Sequence, residues 1–199
     1  MIKISEMNKN SEISTLIDES VKDISECKKM VNEINQVKDI IITTLKNENK
    51  IILFGNGGSA ADCQHMAAEF VGRFLIKRKS LPAISITTDT SILTAVGNDF
   101  GFDQIFSRQC ESLVSKGDVI IAISTSGNSI NVINGINTAK EKGAVIVSLT
   151  GSNGGKLDDI SDIILKMPTE HTPHIQECHR IIIHILCNLV EKELIADLN

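Results

Sequence analysis

The first fifty positions show apolar residues at helical spacing. Between Glu12 and Leu45 an apolar side chain returns every three or four residues, and no Pro or Gly interrupts the stretch. This periodicity places the apolar side chains on one face of each helix. We therefore predict an antiparallel pair of helices within residues 1–48. It would pack on the main fold and offer part of its apolar face to an oligomer interface.

From residue 51 the pattern changes to short apolar runs separated by polar turns and amphipathic segments. The runs predict strands at 51–54, 83–87, 119–123, 145–149 and 163–165. The segments between and after them predict helices near 60–71, 91–96, 104–114, 130–142 and 175–195. Strands that are apolar on both faces and alternate with helices are typical of βαβ units and a parallel sheet. The pattern predicts one α/β domain over residues 1–199 with a helical N-terminal extension.

Composition narrows the function classes. The 199 residues are 42% hydrophobic, enough for one sizeable core, and the formal net charge of −5 argues against a nucleic-acid partner. The apolar runs are shorter than the roughly 18 residues that a membrane span needs, and the N-terminus lacks the pattern of a secretory signal. Five scattered cysteines without a CxxC pair suggest reduced thiols. We expect a cytoplasmic protein with no membrane or nucleic-acid partner.

Three polar loops follow predicted strands, at the edge where open parallel sheets bind ligands. The GNGGS loop spans residues 55–59, the STSGNS loop 124–129 and the TGSNGG loop 150–155. Glycines allow close backbone approach, and hydroxyls with free N–H groups at a helix start suit a phosphate. We predict Ser59 and Ser129 as helix N-caps, with Asp62 completing a capping box at the first. The P-loop and GxGxxG fingerprints are absent, so the first two loops favour a phosphate site of another kind, while the third fits a turn.

Several side chains are candidates for proton transfer or metal binding. His65 and Glu69 lie four residues apart and share one helix face, as surface ion pairs also do. Gln176 and His184 lie eight residues apart on the last predicted helix, about 80° apart around its axis. His184 sits among isoleucines and needs a partner if it is buried, so it is also a candidate core histidine. The remaining histidines, at positions 171, 174 and 179, are expected on the solvated surface.

Five segments together resemble the phosphoheptose isomerases of the sugar isomerase (SIS) superfamily. In chain order they are GNGGSAADCQHMAAEFVGRF, VGNDFGFDQIFSRQ, ISTSGNS, VSLTGSNGGKL and IQECHRIIIHILCNLVE, and the match covers nearly the whole chain. The resemblance implies a flavodoxin-like three-layer αβα sandwich with a five-stranded parallel sheet. It also implies a homotetramer with interfacial active sites. The implied reaction converts sedoheptulose 7-phosphate to D-glycero-D-manno-heptose 7-phosphate through an enediol, the first step toward nucleotide-activated heptose for lipopolysaccharide or capsule.

The same resemblance assigns roles to individual residues. Those implied to hold the substrate phosphate are Ser59, Ser124, Thr125, Ser126 and Ser129. Those implied to contact the rest of the substrate are Asn56, Gly57, Gly58, Glu69, Asn98, Asp99 and Gln176. The implied ligands of one Zn²⁺ per subunit are His65, Glu69, Gln176 and His184. Glu69 is the implied base and His184 its acid/base partner, and Glu69 can act as base, zinc ligand or both.

One segment departs from the family's pattern, and three alternatives to this isomerase remain open. Where some members carry an acidic or Arg residue before Gln176, this chain has Thr172-Pro173-His174, so His174 is the candidate for that sugar contact. The main alternative is a non-catalytic SIS adaptor that binds the bacterial replication initiator. The others are a sugar-phosphate-sensing regulatory domain and a different SIS reaction. An adaptor has no need of the four implied zinc and proton-transfer residues, so their joint presence favours the enzyme.

Overall fold

The computed structural model describes residues 2–196, with side chains from residue 11 onward. The predicted domain of residues 1–199 includes residue 1 and residues 197–199, which lie outside this range. The helices are α1 (Ile2–Glu26), α2 (Val31–Lys46), α3 (Gly58–Val71), α4 (Thr90–Asp99), α5 (Ser107–Leu113), α6 (Ile130–Glu141), α7 (Leu157–Ile160) and α8 (Thr172–Ala196). The strands are β1 (Ile51–Gly55), β2 (Ala83–Ser85), β3 (Val119–Ile123), β4 (Val145–Thr150) and β5 (Ile163–Lys166). Each predicted strand is present, with ends shifted by at most two residues.

All five strands are parallel and run in the order β2-β1-β3-β4-β5. The chain adds β2 on one side of β1 and then returns to add β3, β4 and β5 on the other side. β1 and β3 therefore flank the point where the winding of the sheet reverses. In open α/β sheets ligands bind in the crevice outside the carboxyl ends of the strands at this point. The GNGGS and STSGNS loops lead out of these two strands.

Two apolar cores cover the two faces of the sheet. Side chains alternate along each strand, so Ile51 and Leu53 pack with α2, α3 and α8, while Ile52 and Phe54 pack with α5, α6 and α7. The residues of β1 and β3 are buried on both faces, as expected for a parallel sheet between helical layers. The predicted three-layer αβα sandwich is confirmed.

The N-terminal helices depart from the prediction. α1 and α2 both pack on α8 but make few contacts with each other, so the expected antiparallel pair is wrong. The residues between them, Cys27–Met30, form a 3-10 turn with helical backbone angles at both flanks, which leaves no loop for a reversal. On α1, Ile13, Leu16, Ile17 and Val21 are each more than half exposed within the single chain.

Between residues 2 and 196, no helix has both the length and the apolar character that crossing a bilayer requires.

Candidate active site

The carboxyl ends of β1 and β3 approach each other closely where the first two loops begin. A Cβ at Gly55 would lie 2.6 Å from the carbonyl oxygen of Ile123, so only glycine fits there. The next side chain, Asn56, exchanges two hydrogen bonds of 2.9 Å with Asn131 in the first turn of α6. Asn131 is buried, and its Oδ1 also accepts from the backbone N–H of Val132 at 2.9 Å. This amide pair joins the GNGGS loop to the helix that follows the STSGNS loop.

The start of α3 differs from the predicted cap. Gly57, with φ +55, takes the N-cap position, and α3 begins at Gly58. Ser59 is therefore buried in the first turn beside Gly55, and its N-cap prediction is wrong because the positive φ shifts the helix start toward the strand. Asp62 forms no capping box either. Its carboxylate is buried and pairs with Arg180 of α8 at 2.5 Å, and burial raises its pKa although Arg180 opposes the shift.

The STSGNS loop gathers hydroxyls at the start of α6. Ser129 occupies the predicted N-cap position, but its Oγ lies 3.2 Å from Oγ of the buried Ser124 and makes no side-chain bond to the helix. Thr125 is half-buried, and the exposed Ser126 accepts a hydrogen bond from the backbone N–H of Asn128 at 3.2 Å. The first N–H groups of a helix have no intrahelical acceptor and attract anions. The arrangement therefore offers an anion both hydroxyl and backbone donors.

The TGSNGG loop packs directly under the STSGNS loop. Gly127 has φ +64, and a Cβ there would lie 1.9 Å from the carbonyl oxygen of Gly154. Gly151 N–H donates to the Thr125 carbonyl at 2.9 Å, and Leu157 N–H donates to that of Gly127 at 3.1 Å. The third loop is thus a turn, as predicted, and it also supports the backbone of the second.

A His–Glu cluster, formed by His65, Glu69 and His184, joins α3 to α8. Nε2 of His65 lies 3.5 Å from Oε1 of Glu69 and 2.8 Å from Nε2 of His184. All three side chains are half-buried, and burial together with the charge of Arg180 lowers the pKa of His65. The predicted sharing of one face by His65 and Glu69 is confirmed. His184 lies among isoleucines on α8 and was expected to need a polar partner if buried; that partner is His65.

The cluster suits zinc by donor type, since two imidazoles and a carboxylate are among its usual ligands. Two ring nitrogens on a tetrahedral zinc lie about 3.3 Å apart, so the 2.8 Å contact must open slightly to admit an ion. Within the described chain, no group of three or more His, Cys, Asp or Glu side chains is arranged as a metal site. The Gln176 amide lies against Gly58, about 10 Å along α3 from His65. One chain therefore brings three of the four implied zinc ligands together.

The remaining predicted site residues are Asn98 and Asp99. They end α4, are exposed, and bond to each other at 2.8 Å. No hydrogen bond joins either one to another predicted site residue within the part of the chain that the structure describes. The two phenylalanines that follow, Phe100 and Phe102, are 58% and 63% exposed.

Two histidines that were expected on the surface are buried on α8. His174 falls inside this helix because the helix begins three residues earlier than predicted, and His179 lies on its buried face. Nδ1 of the buried His174 lies 2.8 Å from Oδ2 of Asp23 on α1, and the suggested sugar contact of this residue stays a prediction. Nε2 of His179 lies 3.3 Å from the Thr150 carbonyl oxygen, and its Nδ1 has no partner within residues 11–196. Burial lowers the pKa of His179 to about 4. Only His171 is exposed as predicted.

The fold, the loops at the reversal point and the cluster on α3 and α8 define a sugar isomerase domain. Residues 17–151 match the SIS domain family. A phosphoheptose isomerase from Aliarcobacter butzleri is 52% identical over 165 residues, which cover 83% of this chain and 87% of that protein. One from Aquifex aeolicus is 56% identical over 160 residues, covering 80% and 84%. The chain belongs to the phosphoheptose isomerase family and is a sugar-phosphate isomerase.

The solved structures agree with this assignment. A phosphoheptose isomerase from Neisseria gonorrhoeae superposes with a TM-score of 0.87 at 41% identity, over 92% of this chain and 98% of that one. One from Francisella tularensis gives 0.88 at 32% identity, over 92% and 97%.

Proposed function

We propose that the chain interconverts sedoheptulose 7-phosphate and D-glycero-D-manno-heptose 7-phosphate. The observation that carries the proposal is the His–Glu cluster, in which a carboxylate and two imidazoles lie together and are half-buried. The names of the relatives support a phosphorylated heptose as substrate. The product would be the first intermediate toward nucleotide-activated heptose for lipopolysaccharide or capsule.

The reaction moves a proton between C1 and C2 of the sugar. Glu69 acts as the base that takes the C1 proton of the ketose and returns it to C2 of the enediol. His184 moves the accompanying proton between the two oxygens, and its hydrogen bond to His65 orients its ring. The first N–H groups of α6 hold the phosphate together with the hydroxyls of Ser59, Ser124, Thr125, Ser126 and Ser129. Binding both ends of the substrate sets the reacting carbons against the base.

We also propose a zinc ion held by His65, Glu69 and His184, with Gln176 as the fourth ligand. When bound, zinc supplies Lewis-acid polarisation of the substrate carbonyl. Glu69 then serves as ligand and base at different stages.

We further propose a homotetramer with active sites between subunits. Gln176 lies against Gly58 and not beside the His–Glu cluster, so one chain does not complete the implied set of zinc ligands, and a second copy is the simplest way to complete it. The exposed apolar face of α1 supplies surface for such an interface. A cytoplasmic location agrees with five cysteines that are all free and buried.

The adaptor hypothesis is not favoured. The relatives matched above carry the name of the enzyme, and an adaptor needs no convergence of His65, Glu69 and His184.

The first test is isomerisation of sedoheptulose 7-phosphate by the purified protein, after chelation and again after zinc is restored. We expect turnover that falls and returns, and loss of nearly all turnover in Glu69→Gln. Glu141→Gln, an exposed glutamate at the end of α6, is the matched control and keeps wild-type turnover. Turnover that ignores chelation would remove zinc from the proposal. No turnover by the wild type in either condition would overturn the isomerase.

Light scattering tests the assembly. We expect four times the chain mass of 21.7 kDa, and a smaller particle for Ile17→Lys, which places a charge on the exposed face of α1. A wild-type protein that scatters as a monomer would contradict the interfacial site.

A further inference from the structure

A buried ion pair lies beside the His–Glu cluster without belonging to it. Nε of Arg78, in the connection between α3 and β2, lies 3.0 Å from Oε1 of Glu191 on α8. The two side chains are only 5% and 1% exposed. Removing two charges from water costs several kcal/mol per ion, so such pairs need further hydrogen bonds to persist. The groups that accept or donate these further hydrogen bonds identify the segments that the ion pair positions.

Glu191 binds the chain that leaves α3. Its carboxylate accepts three successive backbone N–H groups, from Phe74 at 3.0 Å, Leu75 at 2.7 Å and Ile76 at 2.8 Å. Burial alone would raise the pKa of Glu191, but these donors and Arg78 outweigh it and lower the pKa. The carboxylate is therefore ionised at neutral pH and fixes the path of residues 74–76 against α8.

Arg78 binds the end of α3 itself. Its Nη2 donates to the carbonyl oxygen of Glu69 at 2.8 Å, and its Nη1 donates to that of Phe70 at 2.8 Å. The last carbonyls of a helix have no intrahelical donor, and a cation there also interacts favourably with the helix dipole. The guanidinium thus caps the turn that carries the proposed base.

The same pair reaches the other half of the cluster through Phe74. The Phe74 ring lies 5.7 Å from the ring of His184, centroid to centroid. Its backbone N–H is held by Glu191, which follows His184 by seven residues and so lies on the same face of α8. One buried pair therefore contacts the backbone of Glu69 and carries the ring that packs on His184.

We propose that Arg78 and Glu191 are positioning residues of the isomerase. They fix the position of Glu69 on α3 relative to that of His184 on α8. The inference rests on the proposed roles of Glu69 and His184. Neither Arg78 nor Glu191 touches the substrate in this scheme. Their contribution is to the geometry of proton transfer and not to substrate affinity.

Kinetics of Arg78→Lys and Glu191→Gln give the first test. Lysine keeps the charge but loses the forked bonds to α3, and the amide has one acceptor oxygen where the carboxylate has two. We expect kcat to fall by about tenfold or more while KM changes by less than about threefold. Glu193→Gln is the matched control, since it removes a partly exposed pair with Lys38 from the same helix and leaves both constants unchanged.

A second measurement does not depend on turnover. Long-range ¹H–¹⁵N spectra of the imidazoles, taken on the chelated protein, report the surroundings of each histidine ring. We expect Arg78→Lys to shift the His65 and His184 signals and to leave the exposed His171 signal in place. The Glu193→Gln control should shift none of the three. If the wild type is inactive but Arg78→Lys still shifts the His65 and His184 signals, the proposed isomerase reaction is overturned and the positioning role is supported.

Unchanged kcat and unchanged His65 and His184 signals in a folded Arg78→Lys protein would overturn the positioning role. If both variants fail to fold, by circular dichroism, Phe74→Leu takes their place because it keeps the ion pair and removes only the ring against His184. The expected result is again a lower kcat with a shifted His184 signal. An unchanged Phe74→Leu enzyme with an unshifted signal would overturn the proposal.

Discussion

At the scale of single residues, the predicted anion site uses neutral donors. Ser124 and Ser129 bring their hydroxyls within 3.2 Å of each other at the start of α6. Backbone N–H groups at the helix start add donors without any charged side chain. This explains how a chain with a net charge of −5 can take a phosphorylated substrate.

Replacing Ser124 and Ser126 together by Ala should weaken substrate binding. A hydrogen bond to a charged group contributes about 1.5–3 kcal/mol, so we expect KM to rise by about tenfold or more, with a smaller change in kcat. Steady-state kinetics measure both constants. Ser161→Ala, which removes a hydroxyl bonded to Ser148 between β4 and β5, is the control. An unaltered KM in the double variant would mean that the phosphate binds elsewhere.

At the scale of elements, the loops at the strand ends act as one packed unit. The GNGGS loop is tied to α6 through the amide pair of Asn56 and Asn131, and the TGSNGG loop lies against the STSGNS loop with no room for a side chain. The shape of the STSGNS loop therefore depends on the loop beneath it.

Gly127→Ala should disturb this packing. The residue has φ +64, which costs an ordinary side chain about 1–2 kcal/mol, and the new methyl would collide with the Gly154 carbonyl. We expect Tm to fall by several degrees and KM to rise, because the two loops must separate. Thermal melts and substrate titration measure the two effects. Gly97→Ala serves as the control for Tm, since its nearest neighbour lies 3.9 Å away and alanine favours the interior of α4. A Gly127→Ala protein with wild-type Tm would contradict the close packing.

At the scale of the whole molecule, α8 joins the N-terminal helices to the sheet and the site. It contacts α1, α2 and α3, and it carries His184 for the proposed chemistry and Glu191 for the ion pair. His179, buried on the same helix beneath the end of β4, has a folded-state pKa of about 4 against an ordinary value of 6.5. The stability of the molecule is therefore linked to pH through this helix.

The sign of that linkage follows from the direction of the shift. Below pH 6.5 the unfolded chain takes up a proton at His179 that the folded chain does not bind until about pH 4. Stability is thus fully present above pH 6.5 and is lost toward pH 4, by roughly 1.4 kcal/mol per pH unit. In denaturant unfolding at a series of pH values, His179→Gln should reduce the loss of unfolding free energy between pH 6.5 and pH 4. Replacing the exposed His171 by Gln should not. If the unfolding free energy of His179→Gln depends on pH as steeply as that of the wild type, His179 is not buried in its neutral form.

Much of the fold could be predicted from local signals. Strand runs, turn glycines and the loops that follow each strand are properties of short segments, and the five-stranded sheet and both helical layers are confirmed. The four-residue spacing of His65 and Glu69 likewise placed them on one helix face. The roles of these residues in binding and catalysis stay predictions, and Gln176 is not assembled with the cluster within one chain.

The tertiary structure decided what depends on partners that lie far apart along the chain. The sequence by itself determined the strands, the polar loops and the helical spacing, because each follows from the periodicity of a few neighbouring residues. It did not determine that His174 and His179 are buried, that Ser59 falls inside α3, or that α1 and α2 both pack on α8. Arg78 and Glu191 are 113 residues apart, and no local pattern joins them. Their pairing arises only when α8 packs against the end of α3, since burial and its hydrogen bonds are properties of the packed chain.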